Sequence, residues 1–280
     1  QITSDSTCDL SPEQLEQYNI RLLPLYVSMD GKTLRDGVDV KPDDIYAHVS
    51  AGGSLPQTAA VNLADYVRAF TELSKKNDFV IHVCISLDFS CCYQNAKLAA
   101  ADFDNVYVVD SRNLSTGHGL VVLEAERMAR EGMEPDDIVA ALHDLTGRVE
   151  ASFILDRLDY MKKGGRCSAV TLLGANLLRL RPCIEVRDGK MGVGKKYRGS
   201  YVKCMEHYVR ARLENHDDLL YDTIFITHTP VPQEILDTVN RTVRECGDFE
   251  HIYETNAGCT ISCHCGEGTL GVLYLHKLKN

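Results

Sequence analysis

Two apolar runs, Phe79 to Ile85 and Val106-Tyr107-Val108-Val109, constrain the fold of this chain more than any other feature. Both read as short buried strands. Between them lies a helix-like segment, 93–103, carrying Tyr93, Ala96, Ala99 and Ala100. Apolar strands separated by helices imply a parallel sheet covered on both faces. The flanking sequence follows the same alternation. Ser11-Pro12-Glu13-Gln14 has the pattern of a capping box with Pro at the first helical position. Arg21 to Val27 reads as a strand with an edge or bulge at Pro24. Pro42 to Val49 is a short helix. Asn62 to Lys75 is a longer one, capped by Asn62 and carrying Leu63, Tyr66, Val67, Phe70 and Leu73 at helical spacing. Helices are also expected over Leu120 to Glu131 and Pro135 to Leu145.

The second half mixes hairpins with helices. Ser152 to Leu155 is a strand, and Leu158 to Lys163 a short helix ending at Gly164-Gly165. Asp188-Gly189 marks a hairpin turn. Tyr201 to Leu213 and Pro232 to Arg244 are helices; Thr223 to Thr227 and Leu270 to Tyr274 are strands. The expected class is α/β in two domains. Residues 1–150 form an N-terminal parallel-sheet α/β/α domain, and residues 151–280 a C-terminal mixed-sheet α/β domain with helices on one side.

Composition narrows the function. With 40 acidic against 30 basic side chains the formal charge is −10, which disfavours a general nucleic-acid or anionic-membrane surface. No apolar run approaches the roughly 20 residues of a spanning helix. The sequence opens at Gln1 without a signal-peptide pattern, which suggests a trimmed chain and makes the cytoplasm the expected compartment. Eleven scattered cysteines, with no Cys-x-x-Cys pair, read as reduced thiols and not as a zinc ribbon. The dense group Cys259, Cys263, His264, Cys265 has spacing unlike common zinc modules, so no metal is assigned.

Four turns carry polar residues that packing alone does not explain. The turn Ser86 to Cys92 joins a strand to a helix start, where unpaired N–H groups and the helix dipole favour an anion, and Ser90 adds a hydroxyl. Thr58 lies in the loop approaching the Asn62 helix. Asp110-Ser111 to Ser115-Thr116-Gly117-His118-Gly119 reads as a glycine-bearing turn. Ser262 to Gly268 places His264 in a Gly-rich turn. Each has a plain alternative: a turn threonine, an N-cap, a loop and a structural histidine. A basic segment, Lys162-Lys163-Gly164-Gly165-Arg166, and Arg198 stand out in an acidic protein. Ser90 with His264 suits nucleophile and base, but Asp88-Phe89-Ser90-Cys91-Cys92 lacks both glycines of the nucleophile elbow. A helix N-terminus would also activate the vicinal Cys91-Cys92 thiols.

The chain resembles the DegV family of bacterial fatty acid-binding proteins. The matching pieces are Asp5-Ser6, Pro56-Gln57-Thr58, Ser90 with Tyr93-Gln94 and Ala96, Val109-Asp110-Ser111 with Ser115 and Gly117, Leu158 to Arg166, Arg181-Pro182, and Cys259-Thr260-Ile261 with His264 to Gly268. Their order is more specific than any single piece. The resemblance implies one long-chain fatty acid buried between two domains, its carboxylate bound by Thr58, Ser90 and His264, with Cys91, Ser115 and Gly266 near the head group. It implies a fatty acid kinase catalytic subunit as partner, which forms an acyl phosphate for phospholipid synthesis, and Arg166 and Arg198 facing that partner or the phosphate. The protein itself is then a non-catalytic carrier without a cofactor, with at most transient membrane contact. Three departures stand out. Ala59-Ala60-Val61-Asn62 follows Thr58 where the family has Ser-Gln-Pro-Ser, Cys91-Cys92 replaces Gly-Thr, and Glu267 replaces Pro. Glu267, if it points inward beside His264, would raise the imidazole pKa or weaken anion binding. Other readings are a hydrolase or kinase-like enzyme using Ser90 or Cys91 with His264, and a metal or redox protein centred on Cys259 to Cys265.

Overall fold

The computed structural model describes residues 1–171, 173 and 180–278. The chain divides into two compact units. The first holds residues 1–147 with two short later segments, 188–190 and 258–263; the second holds the rest.

In the first unit, β1 (Ile2–Asp5) runs into a short 3-10 turn and then α1 (Pro12–Gln17), β2 (Arg21–Leu23), β3 (Tyr26–Met29), β4 (Lys32–Arg35), α2 (Pro42–Ser50), β5 (Gln57–Ala59), α3 (Leu63–Leu73), β6 (Val80–Cys84), α4 (Cys92–Ala100), β7 (Val106–Asp110), α5 (Ser115–Arg130) and α6 (Pro135–Leu145). Strands β2-β1-β6-β7 form the expected parallel sheet. Every residue of β6 is buried, as a central strand covered on both faces requires. The capping box at Ser11 is present, with Gln14 N–H donating to Ser11 Oγ at 3.2 Å and Ser11 N–H to Gln14 Oε1 at 3.0 Å. On α3 the buried stripe is Tyr66, Ala69, Phe70 and Leu73.

Two expectations change here. Arg21 to Val27 is not one strand. Pro24, which has no N–H to give a ladder, separates β2 of the parallel sheet from β3 of a second, antiparallel sheet ordered β4-β3-β5. Thr58 is therefore a strand residue opposite Val27, not part of a loop. Ser115 to Gly119 is also no turn: it is the first part of α5. A Cβ at Gly119 would stand 2.7 Å from the Cys8 carbonyl oxygen, so this glycine lets α5 approach the 3-10 turn closely.

The second unit contains β8 (Val149–Ile154), α7 (Asp159–Gly164), α8 (Ser168–Thr171), β9 (Leu180–Arg187), β10 (Lys190–Arg198), α9 (Tyr201–Leu213), β11 (Leu219–His228), α10 (Gln233–Cys246), β12 (His251–Asn256), α11 (Cys259–Cys265) and β13 (Leu270–His276), although α11 begins among the first unit's residues. Its sheet is mixed, in the order β10-β9-β8-β13-β11-β12. Met205, Tyr208 and Val209 of α9 and Ile235, Val239 and Val243 of α10 share one core with Ile224, Ile226 and Val272, so both helices cover the same sheet face. Asp188 (φ 51°) and Gly189 (φ 79°) are both left-handed, as a two-residue hairpin turn demands. α7 ends where Gly165 adopts φ 68°. The expected Gly-rich turn at Ser262 is shorter than foreseen, because Cys259 to Cys265 is helical and His264 lies in its last turn.

Candidate functional site

In the first unit the turns after β6 and β7 are joined through their backbones. Ser86 N–H donates to Asn113 O at 2.9 Å, and Ser111 N–H to Cys84 O at 3.0 Å. Phe89 and Ser90 N–H both turn back to Ser86 O. Ser90, half-buried, then sits two residues before the helix body. Its Oγ accepts the Cys92 N–H at 3.3 Å and donates to Cys92 Sγ at 3.2 Å. It thus satisfies one of the donors a helix start leaves open. Asn95 Nδ2 donates to Val61 O at 2.8 Å, which ties α4 to the segment three residues beyond Thr58. Thr58 itself is half-buried on β5. Asn62 caps α3 as expected, accepting the Asp65 N–H at 3.0 Å.

Ser115 is committed elsewhere. Its Oγ donates to Asp9 Oδ2 at 2.6 Å, and Asp9 Oδ1 accepts the Gly258 N–H at 2.9 Å. Burial, reinforced by the nearby Asp36 charge, pushes Asp9 up to about 7. Both Asp9 (φ 50°) and Ser115 (φ 51°) hold left-handed backbone that non-glycine residues seldom adopt. Asp36 in turn accepts Cys259 N–H and Thr260 N–H, each at 3.0 Å, and so caps α11. Cys91 is exposed, whereas Cys92 is buried. Burial pushes the Cys92 thiol far up, with the Asp5 charge adding to it, so the helix start does not activate this cysteine. Cys259 and Cys263 pack with Val27, Val40 and Ile45 as core side chains.

In the second unit His264 is shaped by glycines. A Cβ on Gly164, the last residue of α7, would overlap His264 Nδ1. A Cβ on Gly266 (φ 72°) would stand 2.8 Å from the Tyr160 ring. One on Gly268 (φ 76°) would stand 2.7 Å from Asp156 Cβ. The residues against these glycines are themselves held. Arg157 lies 5.2 Å over the Tyr160 ring, Arg181 Nε donates to Asp156 Oδ1 at 2.8 Å, and Tyr201, under Arg181, bonds the Gly268 carbonyl. Burial lowers His264 to about 4, and the Arg166 guanidinium acts in the same direction. The expected upward shift from Glu267 is therefore overturned: desolvation and a cation dominate. Arg166 is exposed and donates to Gly164 O at 2.9 Å. Arg198 is exposed at the end of β10.

The sequence model of the family described as "Uncharacterised protein, DegV family" matches residues 1–277. The chain belongs to the DegV family. A DegV domain-containing protein of Caldanaerobacter subterraneus subsp. tengcongensis is 30% identical over 278 residues, covering 99% of this chain and 98% of that one. Among solved structures, a DegV family protein from Thermus thermophilus described by its fatty acid binding superposes with a TM-score of 0.90 at 26% identity, over 99% of each chain. A stearic acid-binding protein from Eubacterium ventriosum superposes at 0.84 with 25% identity, over 99% of this chain and 98% of that one.

Within this DegV chain the motif glycines acquire a physical reason. Gly164, Gly266 and Gly268 keep side-chain volume away from His264, Tyr160 and Asp156. Sequence reading named Leu158 to Arg166 and Arg181 as family matches without a role for Tyr160, Asp156 or Tyr201. Only their packing against the turn after His264 reveals one. The buried carboxylates Asp9 and Asp36 were also missed, and their sole sequence signal is an acid beside a turn. Among the described residues, no helix is long and apolar enough to cross a membrane.

Proposed function

We propose that this chain is a non-catalytic carrier that binds one long-chain fatty acid, with Thr58, Ser90 and His264 bonding its carboxylate. The observation that carries this reading is the whole-length likeness to DegV proteins described as fatty acid-binding, at 25–26% identity. The chemistry of the three side chains agrees with it. Ser90 stands at the N-terminus of α4, where backbone N–H groups and the dipole favour an anion. His264, lowered to about 4, is neutral at physiological pH and offers one N–H to a carboxylate oxygen while Arg166 supplies positive field. Burying about 14 methylenes at about 0.8 kcal/mol each yields roughly 11 kcal/mol before the costs of association. Affinity therefore comes from the tail, and the polar groups set orientation.

The finer reading is that the carboxylate is presented to a fatty acid kinase, with Arg166 and Arg198 meeting the partner or the incoming phosphate. Both are exposed cations, and a guanidinium suits a phosphate through paired N–H donors. Native mass spectrometry of the purified protein, followed by extraction and lipid analysis, tests the carrier reading. One fatty acid per chain is expected. A protein that carries none and takes up none from added oleate or stearate sinks it.

A further inference from the structure

We propose that Asp5, His82 and Cys84 form a closed binding site for a zinc-type divalent ion inside the first unit, separate from the residues assigned to the lipid. One oxygen, one nitrogen and one sulfur ligand atom from these three side chains all lie within 4.8 Å of one another. The strand register produces the cluster. Thr3 pairs with His82 and Ser4 with Val83 across β1 and β6, which brings Asp5 alongside Cys84. Side chains two apart on a strand share a face. Thr3, Asp5, His82 and Cys84 therefore project to one side of the sheet, the side on which Tyr66 and Phe70 of α3 meet the His82 ring at 5.1 and 5.7 Å.

The donor set selects the ion. Imidazole, thiolate and carboxylate together suit zinc and its neighbours, whereas magnesium and calcium take oxygen alone. Charge agrees as well. A divalent cation with one carboxylate, one thiolate and one neutral imidazole sums to zero, the cheapest state for groups whose residues are 0% exposed. His82 Nε2 and Asp5 Oδ1 stand 3.2 Å apart, at the long limit for an N–H···O bond. Two ligands each about 2.0–2.1 Å from one tetrahedral ion would be separated by roughly 3.3 Å.

An outer shell is in place. Thr3 Oγ1 meets His82 Nδ1 at 2.8 Å, leaving Nε2 to face Asp5. Asp5 also accepts Tyr66 Oη–H at 2.6 Å and Ile85 N–H at 2.9 Å, which fixes the carboxylate plane. A site this enclosed acquires its ion as the chain folds.

The test uses the whole chain with the exposed Cys91 changed to Ser, so that a surface thiol cannot mislead. The protein is loaded with zinc chloride under reducing conditions, desalted and analysed for metal. About one zinc per chain is expected, with a rise in Tm. Cys84→Ala and His82→Asn should retain less than a tenth of it and show no such rise. Failure of the parent to retain zinc, or equal retention by both variants, overturns the site. Should either variant fail to fold, cobalt(II) loading of the parent decides. A thiolate-to-cobalt charge-transfer band supports the site, and cobalt bound without that band, or not bound at all, overturns it. None of these outcomes depends on lipid content.

Discussion

The Ser90 turn and the His264 turn both set a polar side chain at a helix end, but they are held in opposite ways. Ser90 is fixed by bonds to near neighbours in the chain: its own N–H to Ser86, its hydroxyl to Cys92. His264 is fixed by shape. Its ring fits because Gly164, far earlier in the chain, has no side chain, and the next turn bends around Tyr160 and Asp156. Local hydrogen bonds tolerate replacement, since water or a neighbour can stand in for one partner. Close packing does not, because interiors are filled to crystal-like density. The His264 turn should therefore be the brittle element and the Ser90 turn the forgiving one.

Gly266→Ala should break the comparison most visibly. The new Cβ meets both a left-handed backbone (φ 72°) and the Tyr160 ring at 2.8 Å. Strain and overpacking together should cost about 2–4 kcal/mol, read as a shift in the urea midpoint at constant slope. A loss under about 0.5 kcal/mol would mean that the turn relaxes freely and shape is not what holds His264.

The pH dependence of His264 is next in size. Its folded pKa of about 4 lies below the ordinary value of 6.5. The unfolded chain therefore binds the proton more readily. Stability is fully present above about 6.5 and falls as pH drops through 6.5 towards 4. Partial exposure of the ring trims the effect to about 1–2 kcal/mol between pH 7 and pH 5. His118, also lowered to about 4 by burial, adds a loss of the same sign, while Asp9, raised to about 7, gives the opposite sign. Denaturation of wild type and His264→Gln at both pH values cancels those two. The variant should lose less stability than wild type on acidification, and equal losses would place the His264 ring in water.

The same division between local and distant causes decides what could be read from the chain. Continuous apolar runs exposed β6 and β7, and Asp188-Gly189 exposed its hairpin, because each signal is carried by neighbouring residues. The β4-β3-β5 sheet escaped notice, since its strands are three or four residues long and mostly unburied. β12 was missed for a similar reason: it is an edge strand with one buried residue. Ser115 to Gly119 looked like a loop because glycine is a poor helix former, yet Gly119 is there for its closeness to Cys8. For the candidate site, residue types and motif order pointed to Thr58, Ser90 and His264. The roles of Gly164, Tyr160 and Gly266 are contacts between distant segments, which no local pattern records.

The smallest expected effect belongs to Ser90→Ala, and it sharpens the comparison from the forgiving side. The substitution removes an acceptor from the Cys92 N–H, which is partly buried at the start of α4. Loss of a cap of this kind costs about 0.5–2 kcal/mol, typically about 1. The long 3.3 Å bond argues for the lower half of that range. On the proposed carrier reading, lipid retention should scarcely change, because the tail would supply most of the binding energy. On the proposed reading, in which the hydroxyl orients the carboxylate for a fatty acid kinase, phosphoryl transfer should fall further than retention does, since a misplaced nucleophile reacts slowly. Parallel measurement of bound fatty acid and acyl phosphate formation separates the two. Equal transfer by mutant and wild type would leave Ser90 as an ordinary helix cap.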